Sequence, residues 1–438
     1  MTPAARLQAA IELSDAVEQS AAPADATVRA ALRRRRYVGA KDRREILELV
    51  FDAARRRVRL DWRIARHGGA ASARLRLLAL AAVERGQGVA AVESLCDGGR
   101  YAPAPLDDGE RALLAAMAGS AARDDADMPP WAQAGVPEWL APSLIRRFGD
   151  ALAAEMAALA EPAPLDLRVD TRRATRAAVL AGLRSFGLDA EPTPLSPVGI
   201  RVRGRPLLSR HPAWREGVIE VQDEGAQLVA LLVGAPAARC VVDFCAGAGG
   251  KTLALAALIP AGARLIACDS DPRRLARLAP RLARAGIEGV ETQVLAGPVD
   301  PWPRVHAGIA DRVLLDVPCS GTGTWRRSPD LRRTLTPERL RHYRDQQAAI
   351  LDHAAPLLAA GGRLVYASCS LLPEENEDQV EAFLARAPAF RPLDMARVWQ
   401  ETIGSEPPAG ADGPWLQLTP HRHGTDGFFI AVLERGQG

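Results

Sequence analysis

The chain has 438 residues, 48% of them apolar and 25% charged, the balance of an ordinary globular protein long enough for two or three domains. A net charge of only +3 rules out a strong bulk electrostatic signature for nucleic acid. No apolar signal core follows a basic start and no stretch reaches membrane-spanning length, so a cytoplasmic protein that makes no use of a membrane is expected.

Residues 5–20, 25–36, 41–66 and 71–86 read as helices, rich in Ala, Leu and Arg with apolar residues at helical spacing. Asp42 is the expected cap of a helix running through Ile46, Leu49 and Val50. Between Arg29 and Arg66 fourteen Arg or Lys stand against five Asp or Glu. Such a stripe is either a footprint for phosphate or a solvated helix face, and the residues alone leave both open. Asp124, Asp125 and Asp127 with Pro129, Pro130 and Pro137 make 121–137 read as a polar, proline-broken linker. An all-α domain over 1–135 follows.

From Leu165 the texture changes. LDLRVDT reads as a strand, ATRAAVLAGLRSFG as a helix closed by Gly187, and GIRVRG as another strand, giving a small α+β, RRM-like module over 136–217. From 218 to 438 the apolar strands VVDFC, RLIACD, VLLDVP and RLVYAS alternate with helical stretches, which calls for a parallel, doubly wound, Rossmann-like α/β sheet. The closing GFFIAVLER is expected as a last strand on the sheet edge.

The segment Val241 to Thr252 is a buried strand, a glycine-rich turn and a helix start. Glycines let a backbone approach a ligand closely, and Asp269, nineteen residues after Gly250, ends the next strand where an acid accepts from ribose hydroxyls. A dinucleotide loop would need a third Gly where Thr252 stands, and a Walker A loop would need its first Gly where Cys245 stands. S-adenosylmethionine needs close backbone approach, an acid for its ribose and a partner for its carboxylate. Lys251, one of two lysines beside Lys41 in an Arg-rich chain, is a candidate for that partner.

The six cysteines form no C-x-x-C pair and have no His at ligand spacing, so neither a metal site nor disulfides are expected. Cys96, Cys240 and Cys268 read as inert buried thiols. Asp316 and Cys319 lie at the end of VLLDVPCSGTG, and Cys369 at the end of RLVYASCS, so both thiols would face one crevice. Carbon 5 of cytosine is a poor nucleophile until a thiolate adds to carbon 6, and a base must then take the carbon 5 proton. A carboxylate such as Asp316 can bond the exocyclic amine, and the base must first leave its stack. These arguments do not rank Cys319 against Cys369.

At CAGAGGKT, DVPCSGTG, YASCSLLPEEN, RRSPD (326–330) and DGFF (426–429) the sequence resembles the bacterial Sun/RsmB family of ribosomal RNA 5-methylcytosine methyltransferases. The likeness covers nearly the whole chain, and YVGAKDRREILELV resembles the NusB-like RNA-binding domain of that family. The resemblance implies a class I S-adenosylmethionine-dependent methyltransferase acting on small-subunit (16S) ribosomal RNA; a monomer is the simple expectation, and no obligate protein partner is implied. It implies Cys369 as nucleophile, Cys319 as the residue that assists release, and a cofactor site of Cys245, Ala246, Gly247, Ala248, Gly249, Gly250, Lys251, Asp269 and Asp316. DNA cytosine methyltransferases use the proline-cysteine thiol, which keeps Cys319 as the alternative nucleophile. A transfer RNA methyltransferase, a P-loop nucleotidase suggested by Gly250-Lys251-Thr252, and a non-catalytic RNA-binding assembly factor are the competing functions. The sequence departs from the family in reading AGAGG in the loop, in offering no acid after the third strand until Asp300, and in lacking a tryptophan just after Pro329-Asp330.

Overall fold

A computed structural model describes every residue other than 21, 36, 205, 298, 412 and 438. Its contacts divide the chain into two compact units, Met1–Glu161 with Trp325–Thr334, and Pro162–Thr324 with Leu335–Gly438. The first unit takes in the helices Ala141–Phe148 and Leu152–Ala160, which line a cavity together with Arg55 and Arg56. Among the described residues no helix is long and apolar enough to cross a membrane.

The first unit is helical. Pro3–Gln19, Ala24–Arg34, Ala40–Arg55 and Ala73–Ala79 bury Leu7, Leu13, Val28, Ile46, Val50, Leu77 and Leu78 in one core, the apolar stripe of each helix turned inward. The expected helix 41–66 is two, Ala40–Arg55 and Arg57–Arg66, broken where Arg56 leaves helical geometry at ψ 7°. Gly39 occupies the cap position, while Asp42 sits in the first turn and accepts from Arg6 at 3.1 Å.

One further expectation needs correction, and the same contacts bear on the basic stripe. The segment read as a linker contains the helix Ala121–Asp127, and its acids are the counter-charges of the basic stripe. Arg59 and Arg63 both pair with Asp125, while Arg66 donates to Asp124 at 3.2 Å. Arg57 pairs with Glu18, and Arg56 donates to Asp52 at 2.9 Å. Much of the stripe is therefore internally neutralised rather than presented to a polyanion.

The second unit holds two sheets. Strands β1 (Leu165–Val169), β2 (Ala190–Pro192), β3 (Gly199–Val202) and β4 (Ile219–Val221) form an antiparallel sheet ordered β2-β3-β1-β4. The helix Arg176–Ser185 ends as expected, with Gly187 at φ +83°. The larger sheet contains β5 (Cys240–Asp243), β6 (Arg264–Asp269), β7 (Val290–Val294), β8 (Ala310–Asp316), β9 (Leu358–Ser368), β10 (Phe390–Pro392), β11 (Trp415–Leu418) and β12 (Phe428–Arg435). Its order is β10-β12-β9-β8-β5-β6-β7, with β11 also paired to β12.

Strands β7, β6, β5, β8 and β9 run parallel. Side chains alternate between two buried faces. Val241, Leu265, Leu314, Val365 and Ile430 pack on one, and Val242, Ile266, Val313, Leu364 and Phe429 on the other. Burial on both sides explains why these strands read as unbroken apolar runs. β12 is antiparallel and lies inside the sheet, bonded to β9 on one side and to β10 and β11 on the other. The expected edge strand is thus an interior one, consistent with burial of every residue from Phe428 to Leu433.

Candidate active site

Strand β5 has β6 on one side and β8 on the other, so connections leave it in opposite directions and open a crevice at the carboxyl ends of β5 and β8. A cavity of about 520 Å³ lies there. Cys245, Gly247, Ala248, Asp269, Asp316, Cys319 and Cys369 line it. Ala246, Gly249, Gly250 and Lys251, from the same expected set, are not among its lining residues.

The glycine-rich turn is held by specific bonds. Gly247 N–H donates to Asp269 Oδ2 at 2.8 Å, Ala246 N–H to the Cys268 carbonyl, and Gly249 N–H to the Ala246 carbonyl. Gly249 has φ +82°, and a Cβ there would come within 2.2 Å of Leu278 Cδ1, so only glycine fits. Asp269 also accepts from Asp271 N–H at 2.8 Å through Oδ1. Each oxygen keeps a second lone pair, enough to accept from a ribose hydroxyl.

Lys251 is paired with an acid of the protein. Its Nζ donates to Asp316 Oδ2 at 2.6 Å and lies 5.3 Å from the Phe428 ring centroid. Burial works against its charge, but Asp316 outweighs burial and holds its pKa above the usual lysine value. Beneath it Asp243 is fully buried, accepts from Thr252 Oγ1 at 2.6 Å, and is pushed up to about 7 by burial, against that bond.

The two thiols expected to share the crevice do so, with Cys319 Sγ 3.3 Å from Cys369 Sγ. The Cys319 thiol is driven well above its ordinary pKa, first by the bond to Cys369 and then by burial. Burial likewise raises Cys96, Cys240, Cys245 and Cys268, which keeps them protonated and unreactive.

The residues that hold the two cysteine loops together escaped the sequence reading. Glu375 is fully buried, with 0% residue exposure. Its Oε1 accepts from Ser320 N–H at 2.8 Å and Gln347 Nε2 at 3.0 Å. Its Oε2 accepts from the hydroxyls of Ser320 and Ser370, the residues that follow Cys319 and Cys369. Burial raises the Glu375 pKa against these bonds. Gln347 also donates to the Pro318 carbonyl at 2.9 Å, and Gly323 N–H to the Cys369 carbonyl at 3.0 Å. Gly323 meets Gly427 of the closing DGFF so closely that a Cβ would lie 2.3 Å from its carbonyl oxygen. Ser320, Ser370 and Glu375 lie inside DVPCSGTG and YASCSLLPEEN, motifs that carried the resemblance without assigning these residues a role.

Past β7, Leu295 and Gly297 line the cavity. Asp300 turns away, accepting from Ala296 N–H at 2.6 Å and Trp302 N–H at 2.8 Å to fold its own loop. Arg274, Arg277, Gln346 and His353 also border the cavity, none of them singled out from the sequence.

Comparison with known proteins agrees with this geometry. The family model described as "16S rRNA methyltransferase RsmB/F" matches residues 231–434, and one described as "Methyltr_RsmF/B-like, ferredoxin-like domain" matches 136–206. A relative from Pseudomonas syringae pv. tomato named ribosomal RNA small subunit methyltransferase B is 36% identical over 331 residues, covering 74% of this chain and 72% of its own. A probable ribosomal RNA small subunit methyltransferase B from Synechocystis sp. is 34% identical over 306 residues, 69% of this chain and 67% of its own. The crystal structure of PH0851 has the same fold, with a TM-score of 0.75 at 24% identity over 99% of each chain.

Proposed function

The chain belongs to the RsmB/F family of 16S rRNA methyltransferases, and on that premise we propose that it methylates carbon 5 of a cytosine in small-subunit ribosomal RNA. The observation that carries the reading is the 3.3 Å thiol pair at the mouth of a cavity that also holds Asp316 and Asp269. That cavity, at about 520 Å³, fits a nucleoside-sized cofactor, with Asp269 beside a close-approaching backbone for the ribose. S-adenosylmethionine bound there supplies the electrophilic methyl group.

The rest of the chemistry belongs to the chain. Cys369 is the nucleophile. Its thiolate lies within electrostatic reach of the Lys251 ammonium, while Cys319 retains its proton and its bond to Cys369. Addition of the Cys369 thiolate to carbon 6 makes carbon 5 enamine-like. Asp316, held by Lys251, accepts from the exocyclic amine and orients the ring. After carbon 5 is methylated its proton passes to water acting as base, the carbon–sulfur bond breaks with Cys369 leaving as thiolate, and Cys319, whose thiol bonds that departing sulfur, assists the release. The target cytosine enters unstacked, at a cost of about a few kcal/mol that is smallest in single-stranded RNA. The enzyme works as a monomer in the cytoplasm.

Cys369→Ala is expected to abolish methyl transfer while cofactor binding persists; residual turnover at the wild-type rate would refute the assignment. Cys319→Ala should accumulate a covalent protein–RNA adduct visible on a denaturing gel. Bisulfite sequencing of methylated ribosomal and transfer RNA then locates the substrate. One newly protected cytosine in small-subunit RNA is the expected result, and protection confined to transfer RNA would move the target while keeping the chemistry.

A further inference from the structure

Two thiols that touch inside an open cavity are equipped for redox chemistry as well as for addition to a base. Cys319 and Cys369 stand just past the ends of β8 and β9, neighbouring parallel strands, and their sulfurs lie 3.3 Å apart. A disulfide needs about 2.05 Å between sulfurs, so the pair must close by about 1.2 Å. The loops that carry them are tied to each other. Gly323 N–H donates to the Cys369 carbonyl at 3.0 Å, and Glu375 accepts from Ser320 N–H at 2.8 Å and the Ser370 hydroxyl at 2.5 Å. Both backbones are therefore fixed close together before any bond forms between the side chains.

Both thiols line the cavity of about 520 Å³ and both are half-buried, so a small oxidant can reach them. Cys96, Cys240 and Cys268 are buried instead. The Cys369 thiolate lies within electrostatic reach of the Lys251 ammonium. Cys319 is held protonated first by its bond to Cys369 and then by burial. Oxidation of Cys369 replaces a thiolate acceptor with a neutral sulfenic acid and so weakens the first of those causes. The step that makes Cys369 electrophilic also releases Cys319 to attack it.

We propose that Cys319 and Cys369 form a reversible oxidation site, at which hydrogen peroxide joins the two thiols in an intramolecular disulfide. The Cys369 thiolate attacks one peroxide oxygen, the oxygen–oxygen bond breaks, and hydroxide leaves behind a Cys369 sulfenic acid. Cys319 gives its proton to that hydroxide, making water. Its sulfur then displaces a second hydroxide from the Cys369 sulfur, and this hydroxide takes up the proton that Cys369 shed on ionising. Two thiols and one peroxide thus yield one disulfide and two waters, the sulfurs losing two electrons and the peroxide oxygens gaining them. A dithiol reverses the bond by exchange. Cys319 gains a second role here: it captures the sulfenic acid before more peroxide carries Cys369 to the irreversible sulfinic acid. That methyl transfer stops while the bond lasts rests on the reading of these thiols as the catalytic pair; formation of the bond does not.

The test treats the folded full chain with hydrogen peroxide, alkylates the remaining thiols and maps tryptic peptides without reduction. Peptides 313–326 and 364–386, which carry Cys319 and Cys369, should appear as one species lighter by two hydrogens, separated again by dithiothreitol. Sulfinic acid at Cys369 with no cross-link, or a cross-link from either thiol to Cys245 instead, would overturn the proposal. In the Cys319→Ser variant the same dose should carry Cys369 to sulfinic and sulfonic acids, and resistance equal to that of wild type would refute the capturing role. Urea-unfolded wild type decides the matter should that variant not fold. There the cross-links should scatter over the six cysteines, and the same single pair would show that the fold does not select it. Methyl transfer should fall in step with the cross-linked fraction and return with dithiothreitol, while S-adenosylmethionine binding persists. A cross-linked enzyme that still methylates RNA would confirm the disulfide and overturn the catalytic assignment of the thiols, so the two failures are distinguishable.

Discussion

Two buried cations, one in each compact unit, illustrate opposite solutions to the same physical problem. Lys251 has Asp316 at 2.6 Å, and its pKa stays above the ordinary value although burial opposes its charge. Arg332 has a backbone carbonyl, an indole face and a second arginine, and its pKa falls to about 9. A charge removed from water needs a counter-charge as well as hydrogen bonds. The methyltransferase unit supplies that counter-charge internally, as Asp316. The helical unit gives Arg332 no counter-charge among the described residues.

The sharpest way to break this contrast is to make the same substitution at both sites. Lys251→Met leaves Asp316 without its partner at the mouth of the catalytic cavity. It should cost about 3 kcal/mol of stability, the low end for a broken buried pair because Asp316 keeps 31% of its side-chain exposure. Methyl transfer should fall by about two orders of magnitude or more. Urea unfolding read beside single-turnover rates checks both, and the sign of the stability change is the point: Lys251→Met destabilises where Arg332→Met does not. Destabilisation by both, to the same extent, would remove the distinction.

Glu375 extends the comparison to a buried anion. It accepts from four donors that tie the two cysteine loops together. Glu375→Ala should cost about 2 kcal/mol by leaving those donors unsatisfied and should lower kcat more than it raises KM. Glu375→Gln keeps the shape, and hydroxyls can reverse their donor role, so it should restore most of kcat. A Gln variant as impaired as Ala would show that charge rather than positioning matters.

The pH-dependent member of the comparison is Asp243. Its folded pKa is raised from 3.8 to about 7, so the native state binds more protons than the unfolded chain between those values. Its contribution to stability is therefore greatest below pH 4 and declines as pH rises toward 7. Asp243→Asn should flatten that part of the stability profile and match or exceed wild type at pH 8, measured as the urea midpoint against pH. A variant whose profile keeps the wild-type slope from pH 4 to 7 would assign that dependence to other groups.

Much of the fold was legible in the residues because its signals are local. The apolar runs VVDFC, RLIACD, VLLDVP and RLVYAS announced a sheet covered on both faces, and the glycine spacing announced a turn that few side chains could occupy. The position of GFFIAVLER was misjudged, since an apolar strand carries no mark of how many neighbours it will have. The linker at 121–137 was misjudged because its aspartates look solvated until their arginines, some sixty residues earlier, are folded against them.

The sequence by itself determined the class of chemistry, through a glycine-rich turn, an aspartate and two cysteines that each end a strand. Tertiary structure alone decided which charge meets which: Lys251 with Asp316 across 65 residues, Glu375 with Ser320 across 55, Arg332 with the Arg55 carbonyl across 277. Propensity and periodicity act over a few residues of chain, whereas the pairing of charges depends on distance in space and on the loss of solvent.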